Sequence, residues 1–167
     1  MTTIAQQLKV SEFDFEIKDK NDNLIYYEDV TNFWYKSEYD ENSNEIYFED
    51  SDVYWIKREF DKNSNEIYHE NSDGFWSKRE FDENSNQIYH ENSDGFWYKR
   101  EFDENGNRIY QKDSSNYWWK KEYDENNNEI YHEDSDGVIC DNRPKQIQEY
   151  TMEELTKIVG KEFKLVK

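Results

Sequence analysis

Acid groups dominate the chemistry available to this chain. Of 167 residues, 40 are Asp or Glu against 21 Lys and Arg, a formal net charge of -19. Two carboxylates at a set separation could hydrolyse a glycosidic bond, but nothing in the sequence marks one pair among so many. His69, His90 and His132 occupy one recurring position and have no cysteine cluster beside them, so a zinc site is not expected. The DENSN and DENGN segments look like fragments of a calcium loop, but they lack its central glycine and its downstream glutamate. Cys140 is the lone cysteine, and its nearest histidine in sequence is His132. A reactive thiol needs a neighbouring base or positive charge, and no readable motif supplies one. Five glycines make no nucleotide-binding loop. The expectation is a non-enzyme without catalytic residues, metal or cofactor.

The elements that carry these acids are set by a 21-residue period. Trp34, Trp55, Trp76, Trp97 and Trp118 stand 21 apart. So do Asp40, Asp61, Asp82, Asp103 and Asp124, then Asn44, Asn65, Asn86, Asn107 and Asn128, then the Ile-Tyr pairs that begin at Ile46. A period of this size decides the architecture before any local reading. Each unit has two short runs, such as Phe96 to Phe102 and Arg108 to Lys112, whose aromatic content favours strand. Asp103 to Asn107 joins them, and Asn105-Gly106 is read as supplying the positive-φ residues of a tight hairpin. A second turn follows, Ser-Asp-Gly at 72–74, 93–95 and 135–137. Asn, Asp, Gly and Ser recur too often for helix. Fixed aromatic columns, in a chain 18% aromatic, argue against the disorder that its charge would otherwise suggest.

The predicted fold is therefore all-β, an elongated antiparallel hairpin array of about six units with a short C-terminal helix-strand cap. Residues 1–12 are a lead-in without evident motif. Residues 13–33 form a degenerate first unit, with Phe13 in the Trp column. Residues 34–138 hold five full units and 139–141 a stub. With few aliphatic residues, the body should be thin, its Trp column serving packing. Whether the sheet lies open on both sides or coils on itself stays open. After Pro144 the character changes. Thr151 to Glu154 reads as a capping box for a helix over 151–160. Phe163, Leu165 and Val166 suggest a closing strand. This segment, 142–167, should dock on the last unit or pair with a partner or second copy.

Charge is unevenly spread. Unit 34–54 has seven acids and one base, net -6, and unit 118–138 seven and two, net -5, whereas unit 97–117 balances at four against four. Glu41, Glu45, Glu49, Asp50 and Asp52 make one acidic patch, and Glu125, Glu129, Glu133, Asp134 and Asp136 its counterpart. Such a surface repels nucleic acid and anionic membranes and steers proteins with basic clefts. With no apolar stretch long enough to span a bilayer, no secretory leader and a lone cysteine, a cytoplasmic location is expected.

The units FDENGNRIY at 102–110 and YDENNNEIY at 123–131 resemble tyrosine-aspartate repeats of Rhs-type proteins. They are also similar to MORN-type hairpin repeats. Both resemblances, over roughly 13–138, imply a hairpin array and name no activity. The acidic, small and non-enzymatic character is similar to that of phage-encoded DNA-mimic inhibitors. That likeness implies binding to the basic groove of a host nuclease of restriction or CRISPR type. Two other functions fit the sequence. One is a scaffold that binds a protein partner through its aromatic face or C-terminal cap. The other is a carbohydrate-binding array with Trp and Tyr as stacking platforms.

Overall fold

The computed structural model describes residues 3–9, 14–144 and 150–160. The described residues form a 13-stranded antiparallel sheet whose strands lie in sequence order. The strands are β1 (Phe15–Lys18), β2 (Leu24–Glu28), β3 (Trp34–Tyr39), β4 (Glu45–Asp50), β5 (Trp55–Phe60), β6 (Glu66–Asn71) and β7 (Trp76–Phe81). They continue as β8 (Gln87–Asn92), β9 (Trp97–Phe102), β10 (Arg108–Asp113), β11 (Trp118–Tyr123), β12 (Glu129–Asp134) and β13 (Ile139–Asp141). At the ordinary spacing of neighbouring strands the stack is about 58 Å long. Strands pack chiefly on their sequence neighbours. Among the described residues few apolar ones are buried: Ala5, Tyr26 and Trp119. The molecule is a ribbon one sheet thick, held by pairs across strands.

Both turns of a unit are built by an aspartate or asparagine folding back on the loop. In the first, Asp40 Oδ1 accepts from the N–H of Asn42 and of Asn44, both at 2.9 Å. The Ser43 N–H closes on the Asp40 carbonyl at 3.1 Å, and Ser43 takes φ 63°. This is a turn followed by one left-handed residue, the usual three-residue hairpin loop. Here the sequence expectation needs correction. Of Asn105-Gly106 only Gly106, at φ 81°, has positive φ, and Ser64, Ser85 and Asn127 hold that position elsewhere. The second turn repeats the design from Asp50, Asn71, Asn92, Asp113 and Asp134.

Each first hairpin carries a bulge. In β5–β6, Glu59 pairs with Tyr68 and Phe60 with Glu66, so Ile67 is extra. The same shift recurs in β3–β4, β7–β8, β9–β10 and β11–β12. A bulge of this kind puts two residues opposite one and bends the strand. It brings Ile67 and Tyr68 together opposite Glu59.

The lead-in is not featureless. Helix α1 (Ile4–Leu8) is capped by Thr3 in a box closed by Gln6. Helix α2 (Met152–Val159) is capped by Thr151 and Glu154 and ends at Gly160, and none of its residues is buried. The closing strand read at Phe163, Leu165 and Val166 lies outside the described residues, as does Phe13.

Candidate functional site

Alternation and register sort the side chains onto two faces. One face, here the tryptophan face, carries Trp55, Lys57 and Glu59 from β5. Across the pairing it adds Tyr47 and Glu49 from β4, and Tyr68 and Glu70 from β6. Opposed residues run in a diagonal, Glu59 to Tyr68 to Lys78 to Glu91 to Trp97, and Glu38 to Tyr47 to Lys57 to Glu70 to Trp76 repeats it one unit earlier. Lysines lie over tryptophans: Lys57 Nζ is 5.1 Å from the Trp55 ring and Lys78 Nζ 5.4 Å from that of Trp76. All five tryptophans of the column are half-exposed. Between diagonals lie shallow grooves, repeated in the units from 34 to 117. One is lined by Glu59, Ile67, Tyr68, Lys78, Arg79 and Glu80 over about 540 Å³.

Along this face tyrosine hydroxyls meet the glutamate two residues on. Tyr47 donates to Glu49, Tyr89 to Glu91 at 3.2 Å, and Tyr131 to Glu133 at 3.0 Å. The bond to Glu49 holds the Tyr47 phenol protonated up to about 12, and burial adds to it. The pair in the first unit, Tyr26–Glu28, is occupied. Glu28 accepts from the Thr3 hydroxyl at 2.5 Å, the Ala5 N–H at 3.1 Å and Tyr26 at 2.8 Å. It is 1% exposed. Burial alone would raise its carboxyl, but these three donors outweigh that and leave it below the usual range. Helix α1 thus sits on the first Tyr–Glu pair, whereas among the described residues no segment covers its equivalents. In the fifth unit the pair is absent, because Lys112 replaces the glutamate and faces Lys99 directly.

The opposite face carries Arg58, Arg79 and Arg100 with glutamates, histidines and aromatics. Arg58 pairs with Glu45, and its Nε lies 3.5 Å from Glu66. Arg79 pairs with Glu66. Tyr27 and Tyr35 stack at 5.3 Å, as do His90 and Tyr98.

The structure does not gather the acidic residues singled out in sequence. Glu41 is exposed in the β3–β4 turn, while Asp52 is exposed in the β4–β5 turn at the other edge. Glu45 is on the arginine face, where Ser37 donates to it at 2.8 Å, and Glu49 is on the tryptophan face, 3.3 Å from Lys36 Nζ. Asp50 is spent on its own turn. The second patch divides in the same way. Glu125 and Asp136 are exposed at opposite edges. Glu129 takes Lys121 at 2.6 Å and Glu133 takes Tyr131. Asp134 is 8% exposed and accepts from Asp136, Val138 and Tyr117. Among the described residues there is no group of three or more His, Cys, Asp or Glu able to hold a metal. His69 and His90 lie on β6 and β8 with β7 between them. No helix there is long and apolar enough to cross a membrane.

What the sequence reading missed was the Tyr–Glu pair and its cover. Thr3-Ile4-Ala5-Gln6 has the spacing of a capping box and could have disclosed α1.

No protein-family model matches the chain, and no curated protein does. Among solved structures it is similar to the crystal structures of TcdB2-TccC3-TEV and TcdB2-TccC3-Cdc42, each at 13% identity and a TM-score of 0.52. The match covers 71% of this chain and 7% of each of theirs. At this identity the likeness is one of fold: this chain is an elongated antiparallel β-repeat array of the kind those much longer chains contain.

Proposed function

We propose that this chain is a non-enzymatic structural repeat that engages a protein partner on its tryptophan face. The observation that carries the reading is the occupied first pair. Helix α1 places a hydroxyl and a backbone N–H on Glu28 beside Tyr26, and the chain repeats that pair at Tyr47–Glu49, Tyr68–Glu70, Tyr89–Glu91 and Tyr131–Glu133, where no described segment covers it. A partner segment of similar make, a short capped turn with a small residue at its start, fits the same sockets. Flanking Ile and Trp supply apolar area at about 25 cal/mol per Å² buried.

The test is photo-crosslinking from a probe at position 57, in the middle of the face, with host lysate, followed by binding assays on the captured protein. Binding should survive high salt and fall at least tenfold in a Tyr68→Phe, Glu70→Gln double variant. Unchanged binding in that variant would count against the tryptophan face.

A second reading treats the chain as an acidic mimic of DNA that blocks a basic nuclease groove. The net charge of -19 and the acidic end units favour it. Its prediction is opposite in sign: binding that collapses with salt, and a partner that duplex DNA displaces.

A further inference from the structure

On the arginine face the supply of counter-charge changes along the array. The columns that matter are Glu45, Glu66, Gln87, Arg108 and Glu129 on the even strands, and Ser37, Arg58, Arg79, Arg100 and Lys121 on the odd ones. From Arg58 onward, each odd-strand residue is flanked by two of the even column. Arg58 has two glutamates, Glu45 and Glu66, and contacts both. Arg79 has one, Glu66, and contacts it. Arg100 stands between Gln87 and Arg108 and has none. Lys121 recovers one in Glu129.

The vacancy is furnished rather than filled. Arg100 Nε donates to Gln111 Oε1 at 3.1 Å, and Arg108 Nη1 donates to the same oxygen at 2.8 Å. Two guanidinium groups therefore converge on one neutral amide, in a chain that has nearly two acids for every base. Neither has a carboxylate partner among the described residues. Arg100 lies 3.7 Å over the Tyr98 ring and Arg108 4.9 Å over that of Trp119. The rings hold the planes in place and leave their edges free to donate. Tyr98 is itself fixed by its hydroxyl on Gln87 at 2.8 Å. Burial, and then the neighbouring Arg100, push the Arg108 guanidinium down from its ordinary value, as expected of like charges held without an anion. Each guanidinium has five N–H donors, and the bonds to Gln111 use one apiece.

We propose that Arg100, Arg108 and Gln111, walled by Tyr98 and Trp119, receive one carboxylate side chain of the partner protein. The class of anion comes from the array itself, because the equivalent slots at Arg58 and Arg79 are filled by glutamates. Two guanidinium edges suit the two oxygens of a carboxylate. The acidity of the chain as a whole is no bar, since screening at physiological salt acts over about 8 Å and unit 97–117 is itself neutral. The inference rests on the protein-partner reading and adds the chemistry of a second contact on the other face.

The probe is a capped tetraglutamate peptide, titrated into the full chain at physiological salt by calorimetry, with inorganic phosphate in parallel. Peptide binding is expected, weakened at least tenfold in Arg108→Glu. That substitution restores the residue found at 45, 66 and 129, so it keeps the fold and should raise the melting temperature. Arg100→Gln should weaken binding to a similar extent, and Arg79→Gln should leave it unchanged. Equal peptide binding by wild type and Arg108→Glu, or phosphate bound in preference to peptide, would overturn the proposal, as would no peptide binding at all. If the peptide fails while partner capture still depends on Tyr68 and Glu70, only this carboxylate site is lost. If the peptide behaves as expected and partner capture ignores Tyr68 and Glu70, the socket reading is lost and the carboxylate site stands.

Discussion

Val53 is a β-branched residue in the left-handed region, where such side chains are rare. It has φ 68° and is 81% exposed, at a turn position that Gly74, Gly95 and Gly137 fill in other copies. A left-handed conformation costs a residue with a Cβ about 1–2 kcal/mol, and an exposed side chain returns little by burial. Val53→Gly should therefore stabilise the chain by about 1 kcal/mol in urea denaturation, part of the gain being offset by glycine's greater unfolded-state freedom. Tyr26 and Tyr47 offer a second check at this scale. Burial for Tyr26 and the Glu49 bond for Tyr47 push each phenol to about 12. Spectrophotometric titration should show two tyrosines ionising well after the ordinary range near 10. A raised phenol favours the folded chain below its unfolded pKa, and that gain is lost as pH climbs towards 12. Glu49→Gln should bring the Tyr47 step down. The strand acids were visible in sequence, but their fates were not. Whether a glutamate meets an arginine, a tyrosine or solvent depends on which face it takes, and the bulge at each Ile shifts the count by one.

At the scale of the hairpin, the Asp and Asn columns prove to be one device. Asn44 Nδ2 donates to Asp40 within its turn and to Ser64 of the next copy, at 2.9 and 3.1 Å. Asn23 reaches Ser43, Asn65 reaches Ser85 and Asn107 reaches Asn127 in the same way. The link from Asn86 would fall on residue 106, a glycine with no side chain to accept it. Gly106→Asn supplies an acceptor where Asn127 already shows the backbone to be tolerable. It should leave stability within about 1 kcal/mol of wild type, the new bond offsetting the left-handed strain. Hydrogen exchange at the 82–86 turn should slow. The same turns set the response to acid. Hydrogen bonds from their asparagines, above all, lower the carboxyls of Asp19, Asp40, Asp61, Asp82, Asp103 and Asp124. A depressed pKa adds stability above the unfolded value near 3.9 and withdraws it as pH falls through the folded values. Melting temperature should accordingly hold from pH 7 to about 5 and drop below about 4. The turns were legible as turns because Asp, Asn, Ser and Gly recur at fixed offsets. Which residue goes left-handed was not, since Ser, Asn and Gly all serve there.

For the whole molecule, the fold class, the period and the strand order were legible because a repeat announces itself and hairpins connect in sequence. The thinness of the body also followed from scarce aliphatic residues. The candidate site was not legible in the same degree. Acid clusters along the sequence pointed to Glu41 to Asp52 as one surface, but a hairpin sends neighbours to opposite faces and edges. The docking of α1 on Glu28 needed a contact across more than twenty residues, which spacing alone does not reveal. A ribbon in which each unit touches mainly the next should behave as a one-dimensional chain of coupled segments. Deleting residues 76–96 should leave a folded protein whose urea m-value falls by about one-sixth, as exposed area scales with the number of units. A loss of cooperative unfolding on that deletion would show coupling beyond nearest neighbours.

The unit closes on itself: two strands run out and back, so a copy ends pointing as it began and with the same side uppermost. A gene carrying such a cassette can duplicate or shed it in frame without disturbing what lies on either side. Reach, the number of sockets and total acidity would then change in steps, under the control of recombination rather than of point substitution. Lys112 and Arg108 mark a difference of another kind, a single copy within the row whose residues depart from those of its siblings.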